Sequence, residues 1–518
     1  MDPKAELAYS LPRSFLSKEI ITLVCDHVAE DEDSGTLASL ARTSRAFRDP
    51  ALDALWRRIP GAIALLRLLP PDLWEVQRQP IFGTGGGFYV MTFRRPVRPD
   101  DFARLQVFAK RVKEVQTKQP HNRVTSALIH PVAWVELGQA IEGPLLPNLT
   151  SLRHMEVSAK RPFDNYIWPV DFLAGPKLEY VALAMRASLT DPEPAARIFS
   201  TLSSRAPDVK KIDISIVQIS KMAYLPCLGV EIGGLRSLTT FKAPSLELLP
   251  EAVEHLASLP NLRSVAIMTS PAKIIGNSAF PYTGERIGRF PALVKVRIYT
   301  NCLIWCTALM KTISSPFLKE LLIENRSCSS KAPVLEALFA AVSQLPCAAT
   351  LHILTIFSGD DHACLHPGPT IVSATAMLPF AALTALAFVR INGWCEVLLD
   401  DTVLSTLARA WPALQSLDMH FPQSHPELQF PLPVSRPLVT IKGLAIFARA
   451  CPLLERLCLP FDAWVVPELD PAPDGRHRQR PTEIPSCDSA LQHRDVGDSD
   501  PRPYESDLVP FTILPGGE

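Results

Sequence analysis

A short phrase of apolar positions recurs along most of the chain. It consists of an apolar residue, two others, an apolar residue, one other and a third apolar residue. Eleven copies have their first apolar residue at positions 152, 178, 209, 238, 262, 293, 318, 348, 383, 414 and 454. The intervals run from 24 to 40 residues, and a period of this length is typical of stacked repeats.

Each copy joins two kinds of periodicity. The phrase ends in alternating apolar and other residues, which predicts a strand, whereas intervening segments such as 193–206 and 331–345 have helical spacing. Most copies have a proline two residues before the first position, where it cannot continue a helix: Pro176, Pro207, Pro260, Pro291, Pro316, Pro346, Pro412 and Pro452. We therefore predict units of helix, turn and strand, stacked with a parallel sheet on the concave side and helices on the convex side.

The phrase resembles the leucine-rich repeat. The predicted fold class is α/β, an irregular leucine-rich-repeat solenoid of about eleven repeats over residues 146–466. The asparagine that usually follows the phrase is missing from most copies, and Asn325 and Asn392 lie near its position without occupying it. A doubly wound α/β domain and a purely helical array are the alternatives. Eleven units exceed the usual size of an open sheet, and the strand-like phrase argues against helices alone.

Residues 11–60 have a different pattern and predict a module of three helices. The first helix is marked by apolar residues at helical spacing: Phe15, Leu16, Ile20, Leu23 and Val24. An acidic loop at 30–33 precedes the second helix, which is predicted to continue to Asp49. Pro50 suits the first turn of the third helix.

Two segments of this module, LPRSFLSKEI and LARTSRAFRDPALDALWRR, resemble the two halves of the F-box motif. Ser14 stands where that motif commonly has an acidic residue. Residues 54–76, 92–115 and the segment ARACPLLERLCLPFDA are similar to fungal, mainly mushroom-type, F-box/leucine-rich-repeat proteins. The chain is therefore identified as a suspected member of that family.

The resemblance implies a non-catalytic adaptor. F-box modules bind Skp1, which tethers them to a cullin scaffold and a RING subunit, and the repeats hold a protein substrate for ubiquitin transfer. Carried over by position, the Skp1-facing residues are Leu11, Pro12, Leu16, Ile20, Leu40, Phe47, Leu55 and Trp56. Packing of the module itself is the competing interpretation for about half of them. A repeat scaffold without ligase coupling is the alternative function, for which Ser14 and a polar loop after Val28 leave room.

Recognition of the target would fall to variable positions on the concave strands. The predicted positions are Glu179, Lys210, Arg263, Lys295, Lys319 and Gln415. Another set of charged side chains is predicted as a solvated surface, with an acidic partner as the alternative: Arg94, Arg95, Arg98, Lys110, Arg111 and Lys113.

Composition narrows the function classes. The 518 residues exceed a single core, and 52 Lys+Arg against 53 Asp+Glu argue against nucleic acid as a partner. No signal peptide or membrane-spanning run is evident, and eleven scattered cysteines do not indicate a disulfide framework. We therefore expect a cytoplasmic or nuclear protein.

Two segments resemble sites of chemistry but have simpler explanations. Gly83–Gly87 is followed by a strand pattern instead of the Lys and helix of a phosphate loop, so a hairpin turn is predicted. Asp360–His366 lacks the second cluster that a four-ligand zinc site needs and is predicted as an insertion loop. No catalytic residue, metal or cofactor is predicted.

The rest of the chain completes the predicted domain organisation. Residues 1–10 are expected to form a flexible start, and residues 61–145 a linker and N-terminal cap with a hairpin and a helix. Residues 467–518 are rich in Pro, Asp, Ser and Arg, and are predicted to be disordered because they have too little apolar surface to bury.

Overall fold

The computed structural model describes residues 17–31, 33–80, 87–116, 128–155, 170–186, 193–217, 227–269, 289–326, 331–358, 370–392, 395–419 and 436–463. All structural statements below concern these residues. The predicted start, the glycine-rich turn at 83–86, the loop Asp360–His366 and the tail at 467–518 lie outside them.

Helices and strands alternate along the described chain. The helices are α1 (Lys18–Glu30), α2 (Ser34–Thr43), α3 (Arg45–Arg57), α4 (Ile63–Leu66), α5 (Ala103–Ala109), α6 (Pro131–Ala140), α7 (Val170–Leu173), α8 (Glu193–Arg205), α9 (Pro250–Ser258), α10 (Leu303–Thr312), α11 (Ala332–Ser343), α12 (Asp401–Ala410) and α13 (Ile441–Ala450). The 3₁₀ helices are Pro99–Phe102, Val230–Gly234 and Ala374–Ala382. Helices α8 and α11 fall within the segments 193–206 and 331–345, whose spacing predicted helices.

The strands are β1 (Arg58–Ile59), β2 (Trp74–Pro80), β3 (Gly87–Phe93), β4 (Glu114–Gln116), β5 (Leu128–Ile129), β6 (Ser151–Met155), β7 (Tyr180–Arg186), β8 (Lys211–Val217), β9 (Cys227–Leu228), β10 (Thr240–Leu248), β11 (Ser264–Thr269), β12 (Lys295–Thr300), β13 (Glu320–Asn325), β14 (Ile353–Ser358), β15 (Thr370–Ser373), β16 (Phe388–Asn392), β17 (Cys395–Leu398), β18 (Ser416–Asp418) and β19 (Arg456–Cys458).

One large parallel sheet runs through the described chain. Its strands follow the order β1-β4-β6-β7-β8-β10-β11-β12-β13-β14-β16-β18-β19, with β9 paired to β10. A single register row joins buried side chains from successive repeats: Val181, Ile212, Phe241, Val265, Val296, Leu321, Leu354, Val389 and Leu417. Parallel strands in chain order, each reached through a helix or turn, confirm the leucine-rich-repeat solenoid and exclude the purely helical array.

Three of the eleven predicted copies are in the wrong register. The first repeat uses Leu149 and Leu152, because Leu152 pairs with Val181. The eighth and ninth likewise use Leu354 and Val389 as their second apolar position. Each predicted copy was displaced by three residues, because an apolar residue three positions away satisfies the same phrase.

The sheet also extends beyond the predicted repeats. Strand β4 pairs with β6, and β1 pairs with β4 through Ile59 and Val115. Both of these side chains are buried in the large core. The solenoid sheet therefore begins at the end of α3, within the segment predicted as the helical module.

A row of polar residues stands at the ends of three neighbouring strands in the middle of the sheet. Thr269, Thr300 and Asn325 occupy one register row and are buried. The Thr300 hydroxyl accepts the Cys302 N–H and donates to the Cys302 carbonyl, both at 2.9 Å. Buried backbone groups at the strand end thus find a partner, although this position is one residue before the usual asparagine.

The three-helix module is divided differently from the prediction. Ser44 has extended backbone angles, φ −152° and ψ 159°, and its hydroxyl accepts the Phe47 N–H at 3.4 Å. It therefore caps α3, as serine commonly does, and Pro50 lies inside that helix. The prediction that α3 starts at Pro50 is wrong. The polar loop is also shorter than expected, because α1 reaches Glu30 and Asp33 caps α2.

The flanking strands of the glycine-rich segment form the predicted hairpin. Strands β2 and β3 are antiparallel, with pairing that extends to Pro80 and Gly87. Cys306 is buried within α10.

Two candidate interaction surfaces

Helix α1 has apolar side chains on two faces. Ile21 and Cys25 are buried in the small core of the module, whereas Ile20, Leu23 and Val24 are 38%, 67% and 43% exposed. Residues at positions i, i+3 and i+4 share one face of a helix. The three exposed side chains therefore form one apolar stripe, the α1 stripe, with no partner among the described residues.

The predicted Skp1-facing residues fall into three groups. Leu11, Pro12 and Leu16 lie outside the described residues, and Ile20 belongs to the α1 stripe. The others are partly buried within the protein: Leu40, Phe47 and Leu55 against the module core, and Trp56 against the large core. Sequence reasoning noticed the helical spacing of Leu23 and Val24 but did not assign them to a surface.

Trp56 marks a fixed joint between the module and the solenoid. Its ring lies 4.8 Å from the Phe108 ring, centroid to centroid. Arg111 donates to Asp49 at 2.9 Å and also pairs with Asp53, and both aspartates belong to α3. Backbone pairing continues across the joint, since β1 belongs to the solenoid sheet. The α1 stripe is therefore held in a defined orientation to the sheet.

Much of the predicted basic surface is neutralised within the chain. Arg94 pairs with Glu75 at 2.9 Å, and Arg95 pairs with Asp72 at 2.9 Å and Asp101 at 2.8 Å. The hydrogen bonds from Arg95 lower the pKa of Asp101 to about 2. Arg94 and Arg95 therefore pair with carboxylates of the cap, whereas Arg98, Lys110 and Lys113 are exposed.

The second candidate surface is the concave face of the sheet. Side chains that alternate with the buried rows line a groove of about 830 Å³. Six basic residues face it: Arg153, Lys210, Lys211, Lys242, Lys295 and Arg297. Three acidic residues accompany them: Glu114, Glu179 and Asp213. The groove therefore carries a net positive charge although the whole chain has a formal net charge of −1.

Ion pairs between neighbouring strands account for part of this charge. Lys210 lies 2.9 Å from Glu179, and Lys242 lies 3.5 Å from Asp213. Glu320 accepts from two cations, Lys295 at 2.5 Å and Arg297 at 3.0 Å. One carboxylate shared by two cations leaves a positive charge uncompensated.

The groove continues into an apolar surface on the following strands. Ile353 and Phe388 are register neighbours on β14 and β16, and Phe388 is 39% exposed. Arg390 lies over the Phe357 ring at 5.6 Å from its centroid. The sequence interpretation had placed Ile353 and Phe388 at the third apolar position of the copies that start at 348 and 383, and the register correction moves them to the concave side. We call this set of residues the apolar end of the groove.

The six predicted target-binding residues lie along the start of the strands. Lys295 opens β12, whereas the other five stand one residue before a strand: Glu179, Lys210, Arg263, Lys319 and Gln415. Glu179, Lys210 and Lys295 line the groove. The assignment of these residues to target binding stays a prediction.

Beyond these two surfaces, the described residues offer few groups suited to metal binding or nucleophilic chemistry. No group of three or more His, Cys, Asp or Glu there could hold a metal ion. Burial raises the pKa of the Cys347 thiol to about 11 and that of Cys395 to about 12. No helix in the described ranges is both long and apolar enough to cross a membrane.

Comparisons with known proteins found structural similarities at low sequence identity only. No protein-family model matches the chain, and no curated protein matches it in sequence. Among solved structures, an internalin from Listeria monocytogenes is 14% identical, with 62% of this chain and 77% of that chain covered and a TM-score of 0.32.

Two further solved structures are similar at a lower level. A chain of the Rad7–Elc1 complex from yeast is 14% identical over 82% of this chain and 92% of its own, with a TM-score of 0.23. A chain of the Toll–Spatzle complex from Drosophila is 12% identical over 70% and 52%, with a TM-score of 0.29. At these values the likenesses carry no argument about partners, and the fold assignment rests on the sheet register.

Proposed function

We propose that the protein is a non-catalytic substrate-recognition adaptor of a Skp1–cullin–F-box ubiquitin ligase. In this proposal the α1 stripe docks a Skp1-like adaptor, and the concave face of the repeats binds a protein target. The F-box resemblance of residues 11–58 suggests the docking partner. The observation that carries the proposal is the α1 stripe, three large apolar side chains exposed on one face of a module with a small core of its own.

Leu23 is the most exposed side chain of the α1 stripe. Full burial of a leucine side chain contributes roughly 1.5–3 kcal/mol relative to exposure. Because Leu23 is 67% exposed, most of that free energy would be gained only when a partner buries the side chain. Among the described residues, the module core has five buried members, Ile21, Cys25, Leu37, Ala51 and Ala54. Such a small core gains stability if a partner covers the stripe.

The joint at Trp56 supports an adaptor because it fixes geometry. A ligase adaptor must hold its target in a set relation to the docking partner, and a paired strand with ion pairs at the joint supplies that relation. The same joint argues against testing the proposal by deleting residues 1–60. That deletion removes Ile59 and Trp56 from the large core, so loss of binding would also follow from damage to the solenoid.

A point substitution on the intact chain tests docking more cleanly. We expect full-length protein to co-purify with Skp1, and Leu23→Asp to weaken the affinity at least about tenfold because a charge would enter an apolar contact. Ile304→Asp is the matched control, because Ile304 is 59% exposed on α10. If Skp1 ignores folded wild-type protein, or if both variants behave alike, docking through the α1 stripe is wrong.

A repeat scaffold without ligase coupling is the second candidate function. Ser14, in place of the motif's acidic residue, favours it. The same experiment separates the two, because a scaffold would capture its target and leave Skp1 unbound.

A further inference from the structure

We propose that the basic part of the concave groove, on strands β6 to β13, binds an extended acidic segment of a partner protein. This inference rests on the proposed function, in which the concave face recognises the target. It adds the chemistry of that target: carboxylate side chains spaced along an extended backbone.

The charge balance of the groove supplies the first argument. Among the described residues, no carboxylate lies within ion-pair distance of Lys211 on β8 or of Arg263 and Lys319 at the strand starts, and all three cations are exposed. Arg153 lies over the Tyr180 ring, 5.0 Å from its centroid, and Glu320 is shared by two cations. In the sheet register Arg153 lies two residues beyond Lys211, whereas Arg263 and Lys319 lie one residue before it. The surplus positive charge therefore follows an oblique line across the sheet, from the groove to the strand starts.

The spacing along that line supplies the second argument. Arg153 and Lys211 are two strands apart, Lys211 and Arg263 another two, and Arg263 and Lys319 a further two. Neighbouring strands lie about 4.8 Å apart and residues rise about 3.3 Å along a strand, so the backbone positions of successive cations are separated by about 10–12 Å. An extended peptide in the polyproline II conformation advances about 3.1 Å per residue with three residues per turn, so every third side chain lies on the same face. A carboxylate at about every third position would meet each cation in turn.

The carboxylates that lie among the cations favour a protein partner over nucleic acid. Glu179 and Asp213 line the groove among the cations, and Glu320 pairs with two of those cations. A nucleic-acid backbone carries a phosphate at every step and would meet these carboxylates with repulsion. A peptide with neutral residues between its acidic ones avoids them, so the groove favours protein over nucleic acid.

The test uses full-length protein and a fluorescent twelve-residue peptide, (Glu-Ser-Gly) repeated four times, with (Gln-Ser-Gly) repeated four times as its control. We expect anisotropy to show binding of the Glu peptide alone, and binding that weakens with added salt. The double variant Lys211→Glu, Arg263→Glu should bind about tenfold or more weakly, because two attractions become repulsions. The control Lys442→Glu, Arg449→Glu makes the same charge change at exposed positions on α13 and should bind within about twofold of wild type.

Four outcomes would overturn the proposal: equal binding of both peptides, equal weakening in both double variants, tighter binding of a labelled oligothymidylate, or binding seen only after removal of residues 467–518. The last outcome would identify the chain's own tail as the occupant. Skp1 capture measured on the same proteins separates the two proposals. Peptide binding without Skp1 refutes ligase coupling alone, and Skp1 binding without peptide binding refutes the acidic target alone.

Discussion

Replacing Trp56 by alanine distinguishes packing from docking in the helical module. Complete removal of a buried tryptophan side chain costs about 3–5 kcal/mol. Trp56 is partly buried against the large core, with its ring 4.8 Å from that of Phe108. We therefore expect Trp56→Ala to weaken the joint by about 3 kcal/mol, including about 1 kcal/mol from the aromatic pair.

Hydrogen exchange of the α3 amides measures this loss directly, because the module can open as a local unit. A change of about 3 kcal/mol corresponds to an opening equilibrium raised by a little over a hundredfold. Leu23→Ala, on the exposed α1 stripe, should change exchange by about twofold at most. The interpretation of Trp56 as a joint residue is refuted if Trp56→Ala leaves α3 exchange unchanged while Skp1 binding is lost.

Three further predictions concern stability. Asp101→Asn should lower the free energy of unfolding by about 1–2 kcal/mol, because it weakens the hydrogen bonds from Arg95. Folding lowers the pKa of Asp101 from 3.8 to about 2, so this contribution is complete above pH 4 and is lost as the pH falls toward 2. A difference between the urea midpoints of wild type and variant that persists at pH 2 would contradict this. Gly443→Ala should lower the urea midpoint, with a cost of about 1–3 kcal/mol, because its methyl group would meet the Asp401 carboxylate that accepts the Thr440 N–H at 2.8 Å; Gly233→Ala, which has open space, is the control and should not match it. Cys347 and Cys395 should resist a thiol reagent at pH 8 until the chain unfolds, and rapid labelling of either thiol in native protein would refute this. Because burial raises both pKa values, the contribution of the two protonated thiols to stability should be complete below pH 9 and lost as the pH rises toward 11–12.

The repeat architecture was predictable because burial imposes the pattern. Residues such as Val181 and Ile212 must be apolar to fill the space between the sheet and the helices, so the phrase appears in the sequence at each repeat. The register was less predictable. Ala348 and Leu383 resemble first positions, and only the pairing of β14 and β16 shows that the phrase starts three residues later.

The surfaces were harder to predict than the core. The motif resemblance placed Trp56 among docking residues, but a motif records which residues recur and not which side each one faces. The neutralisation of Arg111 depends on Asp49 and Asp53, 58 or more residues away in the sequence. The apolar end of the groove was missed because Ile353 and Phe388 were counted as third apolar positions of copies in the wrong register.

The most direct test of the account is the hydrogen-exchange footprint of a Skp1 homologue on the full-length protein. Docking through the α1 stripe predicts slower exchange over Lys18–Glu30 when Skp1 is added. The concave strands β11 to β13 should exchange as in the free protein, which leaves the groove open for a target. Protection centred on those strands, or no protection of α1 at saturating Skp1, would contradict an adaptor with separate docking and recognition surfaces.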